Sequence, residues 1–324
     1  EDAAALVPLL FLCRALLPQL FLDGAAALGG LRLTVRSSAL PVGAGLGSSA
    51  AFSVALSAAL LRLALALRGA DAPAELLAAT AVDVGPPYGA SDAPGADAKK
   101  LIDGWAYAAE CILHGTPSGL DNAVSCEGFA MRLCRAPGAS APGFERVSAL
   151  PAVRVLLTNT KVPRKTREKV AAVRALHEAH PAATTRVFEA IAAVADEFLA
   201  LAAAAPTLAA ADVTRLGSLV RINHHLLCAL GVGAPALEQV RALTEAEGLP
   251  TKLTGAGGGG CAFTVLGGEA LSPEVAASAA RAKATLETCG FDCFETLVGG
   301  QGALWHARAP ASDPGSGGGG AVLR

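Results

Sequence analysis

The sequence predicts a two-domain α+β fold, and three observations lead there. A strand pattern runs into a glycine loop and a long helix near the start, a second glycine run lies near residue 257, and long helices alternate with short strand candidates in between. Leu31, Leu33 and Val35 alternate with polar neighbours, as in a short strand. From Ser48 to Leu67 there is no Gly or Pro, and the segment reads as a helix. Between them stands Pro41-Val-Gly-Ala-Gly-Leu-Gly-Ser-Ser-Ala-Ala51. Gly43, Gly45 and Gly47, separated by Ala44 and Leu46, let the main chain approach a ligand closely. The helix start that follows favours an anion through its amides and the positive end of its dipole. Ser48 and Ser49 add hydroxyls there, one placed to cap the helix and the other to reach a metal ion.

Taken by itself the loop reads either as a phosphate cradle or as a glycine-rich turn with a serine cap, and it is of no Walker type, because Gly-Lys-Ser/Thr occurs nowhere in the chain. A dinucleotide site wants an acidic residue about 20 positions further on. Asp71 sits near that distance, but in Gly-Ala-Asp-Ala-Pro after the helix and not at a strand tip, which disfavours an NAD-dependent oxidoreductase.

Whole-chain properties exclude other classes. The 324 residues suffice for two domains and a substantial core. Net charge is -2 with both signs mixed and aromatics are 4%, so no nucleic-acid partner is expected. Alanine inflates the mean hydropathy of +0.46. The longest apolar run, Ala50–Leu67, is interrupted by Ser53, Ser57 and Arg62, so no membrane span is expected. Ala3–Leu22 carries Pro8, Arg14 and Pro18 and follows Glu1 and Asp2, unlike a secretory signal. Eight cysteines without a Cys-x-x-Cys pair predict reduced thiols and a cytoplasmic protein. The only Met is Met131, so the chain reads as starting internally, with an upstream portion expected.

Along the chain, Val82–Asp97 reads as a surface insertion and Lys99–His114 as a helix, followed by the turn Gly115–Gly119. A strand is predicted at Gly128–Cys134 and a Pro/Gly-rich passage at Ala136–Gly143. The strand Val153–Asn159 opens a second domain, giving domains 1–150 and 151–311. Helices follow at Arg164–His177, Ala182–Ala204, Ala209–Leu230 and Ala236–Glu247. The run Thr254–Gly260 lies between strands Thr251–Leu253 and Cys261–Leu266. A helix at Pro273–Cys289 and strands at Phe291–Leu297 and Ala303–Ala307 close the domain, and the tail Ser312–Arg324 is expected to be disordered.

On the helix Lys99–His114, Leu101, Trp105, Ala108 and Ile112 form an apolar stripe, with Asp103, Tyr107, Glu110 and His114 on the opposite, solvated face. Eleven residues after Glu110, the turn His114-Gly-Thr-Pro-Ser-Gly-Leu-Asp-Asn122 delivers Asp121. Two carboxylates in different surroundings can divide the labour of phosphoryl transfer, one holding a metal and the other receiving a proton from the attacking hydroxyl. Taken alone, Asp121 also reads as a turn residue bonded to its own backbone.

The Pro41–Ala51 and His114–Asn122 segments, together with Leu157-Thr-Asn-Thr-Lys-Val-Pro-Arg164 and Lys252-Leu-Thr-Gly-Ala-Gly-Gly-Gly-Gly-Cys261, resemble in this order the motifs of the mevalonate kinases. That family belongs to the galactokinase, homoserine kinase, mevalonate kinase and phosphomevalonate kinase (GHMP) superfamily. The resemblance continues through Asn223-His-His-Leu226, Ala229-Leu-Gly-Val-Gly233 and Cys289-Gly-Phe-Asp-Cys293. It implies a ribosomal protein S5 domain 2-like first domain, a ferredoxin-like second domain with added helices, and an active site between them. The implied reaction is ATP-dependent phosphorylation of mevalonate to 5-phosphomevalonate, with Mg²⁺ as cofactor.

By the same resemblance, Gly43, Ala44, Gly45, Leu46, Gly47, Ser48 and Ser49 bind the ATP phosphates, Ser49 and Glu110 hold Mg²⁺, and Asp121 is the catalytic base. Thr166, Ala256 and Gly257 line the substrate pocket. Lys161 and Arg164 stand either as charge partners at its mouth or as solvated basic residues, while His224 and His225 read as structural. The Asn159–Arg164 motif favours mevalonate over galactose or homoserine, with phosphomevalonate the nearest competing substrate. A homodimer and feedback inhibition by isoprenoid diphosphates are also implied. The family's opening strand with a lysine, and its Gly-Glu-His segment, have no counterpart in these residues. The chain by itself is therefore expected to be weakly active or inactive, and a non-catalytic nucleotide-binding module is the rival reading.

Overall fold

The computed structural model of the protein describes residues 2–17, 33, 46–68, 94–115, 117–134, 143–147, 150–164, 166–204 and 207–305. Residues 31, 32, 34 and 35 of the first expected strand, residues 82–93 of the insertion, the passage at 136–142 and the tail from 312 lie outside these residues, as do Gly43, Ala44 and Gly45. Two compact units form, one from the N-terminal helix, Gly47–Arg146 and the segment from Gln301, the other from Val147–Gly300.

The first unit contains α1 (Asp2–Leu16), α2 (Ser48–Arg68), α3 (Ala96–His114), α4 (Leu120–Glu127) and a two-stranded sheet of β1 (Ala130–Cys134) and β2 (Gly143–Val147). Alanine and leucine dominate α2, which buries Val54, Leu60, Leu61 and Leu65 against Leu12 and Leu16 of α1 and Ile102 of α3. Among the described residues α2 is the one helix long and apolar enough to cross a bilayer, yet over half of its Ser48–Leu65 stretch is buried, as in a core helix. The helix α1 forms despite Pro8, which withdraws one N–H.

On α3 the structure corrects part of the expected facing, while Tyr107 and His114 are exposed as expected. The buried side carries Ala98, Ile102, Ala106, Ala109 and Glu110, whereas Leu101 and Ile112 of the predicted stripe are exposed. Three of the five are alanines, which let the packed helices approach closely, and so the core face has low hydrophobicity and is overlooked by pattern. Val7, Leu10 and Phe11 of α1 are likewise exposed, with Phe11 tilted against Trp105.

The segment expected as a closing strand of the second domain packs instead with the first unit. Gln301 bridges Gly128, and buried Trp305 donates from Nε1 to the Ala58 carbonyl of α2 at 3.2 Å. A side chain of that size finds its burial where α2 offers a wall of alanines.

The second unit opens with β3 (Val153–Asn159). Helices α5 (Thr166–Ala179), α6 (Pro181–Ala204), α7 (Ala210–Ala229) and α8 (Pro235–Ala246) follow, then β4 (Thr251–Leu253), β5 (Cys261–Gly267), α9 (Pro273–Thr288) and β6 (Asp292–Val298). The sheet order is β4-β5-β3-β6, and each neighbouring pair is antiparallel. This is the split β-α-β arrangement of a ferredoxin-like domain, with extra helices between its first two strands. The predicted helices and strands of this unit lie within two residues of the observed ones, because each carries a clear period and a turn signal at its ends. Pro273 at the first position of α9 and the Ser272 hydroxyl, which accepts from the Val275 amide, are one such boundary.

Candidate functional site

Gly47 sits at the mouth of α2 with φ +76°, a conformation that favours glycine, and its carbonyl accepts the Ala51 amide at 2.9 Å. The first turn of α2 thus presents its amides and positive dipole end at the close of the glycine loop. Asp121 reaches the same place from another element. Gly119, in the left-handed conformation, turns the chain into α4, and Asp121 falls in that helix's first turn. It is therefore a helical residue, which sets aside the alternative of a turn residue bonded to its own backbone; the short α4 carried too weak a period to be read. A methyl group added at Gly47 would lie 3.8 Å from Cβ and Cγ of Asp121, so the carboxylate stands directly beside the loop.

Ser49, in the first turn of α2, donates from Oγ to Oε2 of Glu110 at 3.0 Å. Glu110 is only 4% exposed, against the expectation of a solvated face. Its Oε1 accepts from Ser53 Oγ at 2.9 Å, and its Oε2 lies 3.6 Å from His114 Nε2. Sequence reasoning missed Ser53 and His114 as neighbours of the site. The available signal was the four-residue spacing of Ser49 and Ser53, and of Glu110 and His114, each of which puts two side chains on one helix face.

Hydroxyl and carboxylate oxygens are the donors a hard divalent cation takes. In an octahedral Mg²⁺ site with bonds of about 2.1 Å, adjacent ligand oxygens stand about 3.0 Å apart. The Ser49 Oγ to Glu110 Oε2 distance of 3.0 Å fits that edge.

The predicted residues Thr166, Ala256 and Gly257 lie in the second unit. Thr166 is the exposed first residue of α5. Ala256 and Gly257 belong to the run between β4 and β5, whose glycines are required by their surroundings. At Gly257, φ is +68° and a Cβ would overlap the Val232 carbonyl; at Gly260, φ is +74° and it would overlap the Arg164 guanidinium. The run is stitched down by Gly258 N–H to Val232 O at 2.8 Å and Gly260 N–H to Val162 O at 2.9 Å. Arg164 donates to Thr254 Oγ1 at 2.7 Å, and Lys161 pairs with Asp292 at 2.8 Å. Both basic residues therefore have structural partners inside this unit.

His224 is fully buried and joins three elements. Its Nδ1 accepts the Leu253 amide at 3.2 Å, so Nε2 carries the proton and donates to Glu238 Oε1 at 2.8 Å. Cys228 also donates to that oxygen, at 3.3 Å, and Arg241 Nε holds Glu238 Oε2 at 3.0 Å. His224, Cys228 and Glu238 are close enough to ligate an ion. However, the Leu253 amide commits the imidazole to the tautomer whose Nε2 has no lone pair to give, and burial pushes the Cys228 thiol up to about 11. The cluster is therefore a structural clamp, as expected for His224.

Burial lowers the His224 pKa below its ordinary 6.5, against the pull of Glu238. For Glu238 burial acts upward, but hydrogen bonds from Arg241, Cys228 and His224 leave it below 4.5. Both groups thus bind protons more readily unfolded than folded, so their contributions are present above the unfolded values and fade as pH falls. Stability is expected to drop from about pH 6.5 downward, at no more than about 1.4 kcal/mol per pH unit for the histidine proton. Urea midpoints between about pH 7.5 and 5 check this, with His224→Gln flattening the slope; an unchanged slope refutes the clamp.

The family described as "GHMP kinases N terminal domain" matches residues 11–98, and "GHMP kinases C terminal" matches residues 201–285. With the ferredoxin-like second unit and the loop, serine and carboxylates of the first, these matches define the class: the chain belongs to the GHMP kinases. Within that superfamily it is similar to mevalonate kinases. It is 41% identical over 282 residues to "Mevalonate kinase" of Mus musculus, covering 86% of this chain and 64% of the relative. The Homo sapiens mevalonate kinase is 39% identical over 290 residues, covering 87% and 65%. The chain thus spans a little under two thirds of the length of these relatives. The fold is also similar to the L. major mevalonate kinase solved in complex with R-mevalonate, with TM-score 0.61 at 20% identity, covering 83% of this chain and 69% of that one.

Proposed function

We propose that the protein catalyses ATP-dependent phosphorylation of (R)-mevalonate to 5-phosphomevalonate. The observation that carries the proposal is the gathering, in one unit, of Gly47, the Ser49–Glu110 oxygen pair and Asp121. The amides of the Gly47–Ser49 turn hold phosphate oxygens, and the helix dipole of α2 offsets their charge. Ser49 Oγ and Glu110 Oε2 would hold Mg²⁺, which would supply positive charge against the phosphate groups. Asp121 orients the primary hydroxyl and accepts its proton as the oxygen attacks in line.

Thr166, Ala256 and Gly257 are assigned to the substrate pocket on the resemblance to mevalonate kinases. The same kinship supports a homodimer and inhibition by isoprenoid diphosphates at the nucleotide site.

The test is ATP consumption with mevalonate, run on this chain and on a version extended upstream to an initiator Met, with phosphomevalonate, galactose and homoserine as alternative acceptors. Mevalonate-dependent turnover is expected, strongest in the extended protein. Nucleotide binding with no turnover in either would favour a non-catalytic module, and preference for phosphomevalonate would change the substrate.

A further inference from the structure

Each oxygen of the nearly enclosed Glu110 carboxylate has its own neighbour, and the two are not equivalent. Oε1 accepts from Ser53 Oγ at 2.9 Å, while Oε2 accepts from Ser49 Oγ at 3.0 Å and faces His114 Nε2 at 3.6 Å. Ser53 is completely buried one turn along α2 from Ser49, so its hydroxyl points at α3 from inside the core. Ser57, a further turn on, is equally buried, but its Oγ has no partner among the described residues.

We propose that Ser53 is a positioning residue for the metal site: by holding Oε1, it leaves Oε2 as the oxygen turned toward Ser49 and the cation. This rests on the reading of Ser49 and Glu110 as the Mg²⁺ ligands. The terminal torsion of a glutamate is broad, so a carboxylate anchored by its backbone alone does not hold its plane at one angle. One buried donor on one oxygen holds that angle, with the other oxygen toward Ser49. Without the Ser53 hydroxyl, Oε1 becomes an enclosed acceptor without a donor, and the group rotates to share Ser49 or His114 between its oxygens. The ligand pair then loses the 3.0 Å spacing that suits the cation.

The test is Mn²⁺ binding to the full chain in the presence of the non-hydrolysable analogue AMP-PNP, read from the electron paramagnetic resonance signal of free Mn²⁺. Ser53→Ala is expected to weaken Mn²⁺ about tenfold, the scale at which loss of a partner that orients a ligand acts. AMP-PNP affinity without metal stays within about twofold, since among the described residues the hydroxyl's partner is Glu110 and not a loop amide. Ser57→Ala, which deletes a buried hydroxyl from the same helix without touching Glu110, leaves Mn²⁺ binding unchanged. Ser53→Thr, which keeps the hydroxyl, holds the affinity within about threefold of the parent and guards against a folding artefact in the alanine variant.

Equal Mn²⁺ affinity in Ser53→Ala and the parent, with Glu110→Gln strongly weakened, overturns the positioning role and leaves the ligand reading standing. Unweakened binding in both Glu110→Gln and Ser49→Ala, or no Mn²⁺ binding by the parent chain, overturns the ligand reading and this inference with it.

Discussion

Replacing Asp121 with Asn is expected to lower kcat about 10²–10⁴-fold, the usual contribution of a positioned general base, while nucleotide affinity changes less than about twofold. Asn has nearly the same shape, suits the first turn of a helix, and follows the same left-handed Gly119, so α4 is retained. What is lost is the acceptor for the hydroxyl proton, and that loss is felt only as the oxygen attacks. The effect should therefore appear in kcat and kcat/KM together, with little change in a calorimetric dissociation constant for the ATP analogue. Near-normal turnover in this variant would remove Asp121 from the mechanism. A fall in nucleotide affinity as large as the fall in kcat would move it to the phosphate site, which its closeness to Gly47 makes a sharp alternative.

The second large effect belongs to the glycine run of the second unit. Gly257→Ala should destabilise the chain by more than about 3 kcal/mol and raise KM for the acceptor. The left-handed φ of +68° costs an alanine about 1–2 kcal/mol. Its Cβ would also overlap the Val232 carbonyl, which receives the Gly258 amide at 2.8 Å, so the loop must move and that hydrogen bond, worth about 1 kcal/mol, is lost. Gly248→Ala is the control: φ there is +76°, but nothing lies within 4 Å of the added methyl, so only the backbone strain of about 1–2 kcal/mol remains. Urea unfolding of both variants separates the terms. If the two lose equal stability, close approach to Val232 is not what requires glycine at 257.

Legibility followed the range of the interaction responsible. The loop at Gly47, the serine at 49, the sequence around Asp121 and the run at Gly257 are continuous stretches whose backbone demands are local, and they stood out as motifs. The strands and helices of the second unit were legible for the same reason, since strong periods and Gly/Pro punctuation mark each one. Reading failed where burial is decided by a neighbour. The face of α3 that meets α2 buries Ile102 among alanines and one glutamate, whereas Leu101 and Ile112 lie in the open. No hydrophobic period announces such a face, because its closeness to α2 comes from small side chains.

Trp305 shows the same limit at longer range. Its hydrogen bond to Ala58 spans 247 residues, and nothing local to residues 301–305 says that this piece joins the first unit. His224 is intermediate: its mid-helix position argued for structure over catalysis, but its tautomer is set by an amide 29 residues away on β4.

By itself, then, the sequence determined the order of elements, the glycines that the backbone needs, and the residue types able to hold phosphate, metal and proton, all properties of neighbours along the chain. The tertiary structure alone decided that Glu110 is enclosed, that Ser53 and Ser49 take different oxygens of its carboxylate, and that Asp121 stands against Gly47. Those are matters of packing between helices. A carboxylate is directed by whichever donors surround it, and these come from a segment more than fifty residues away.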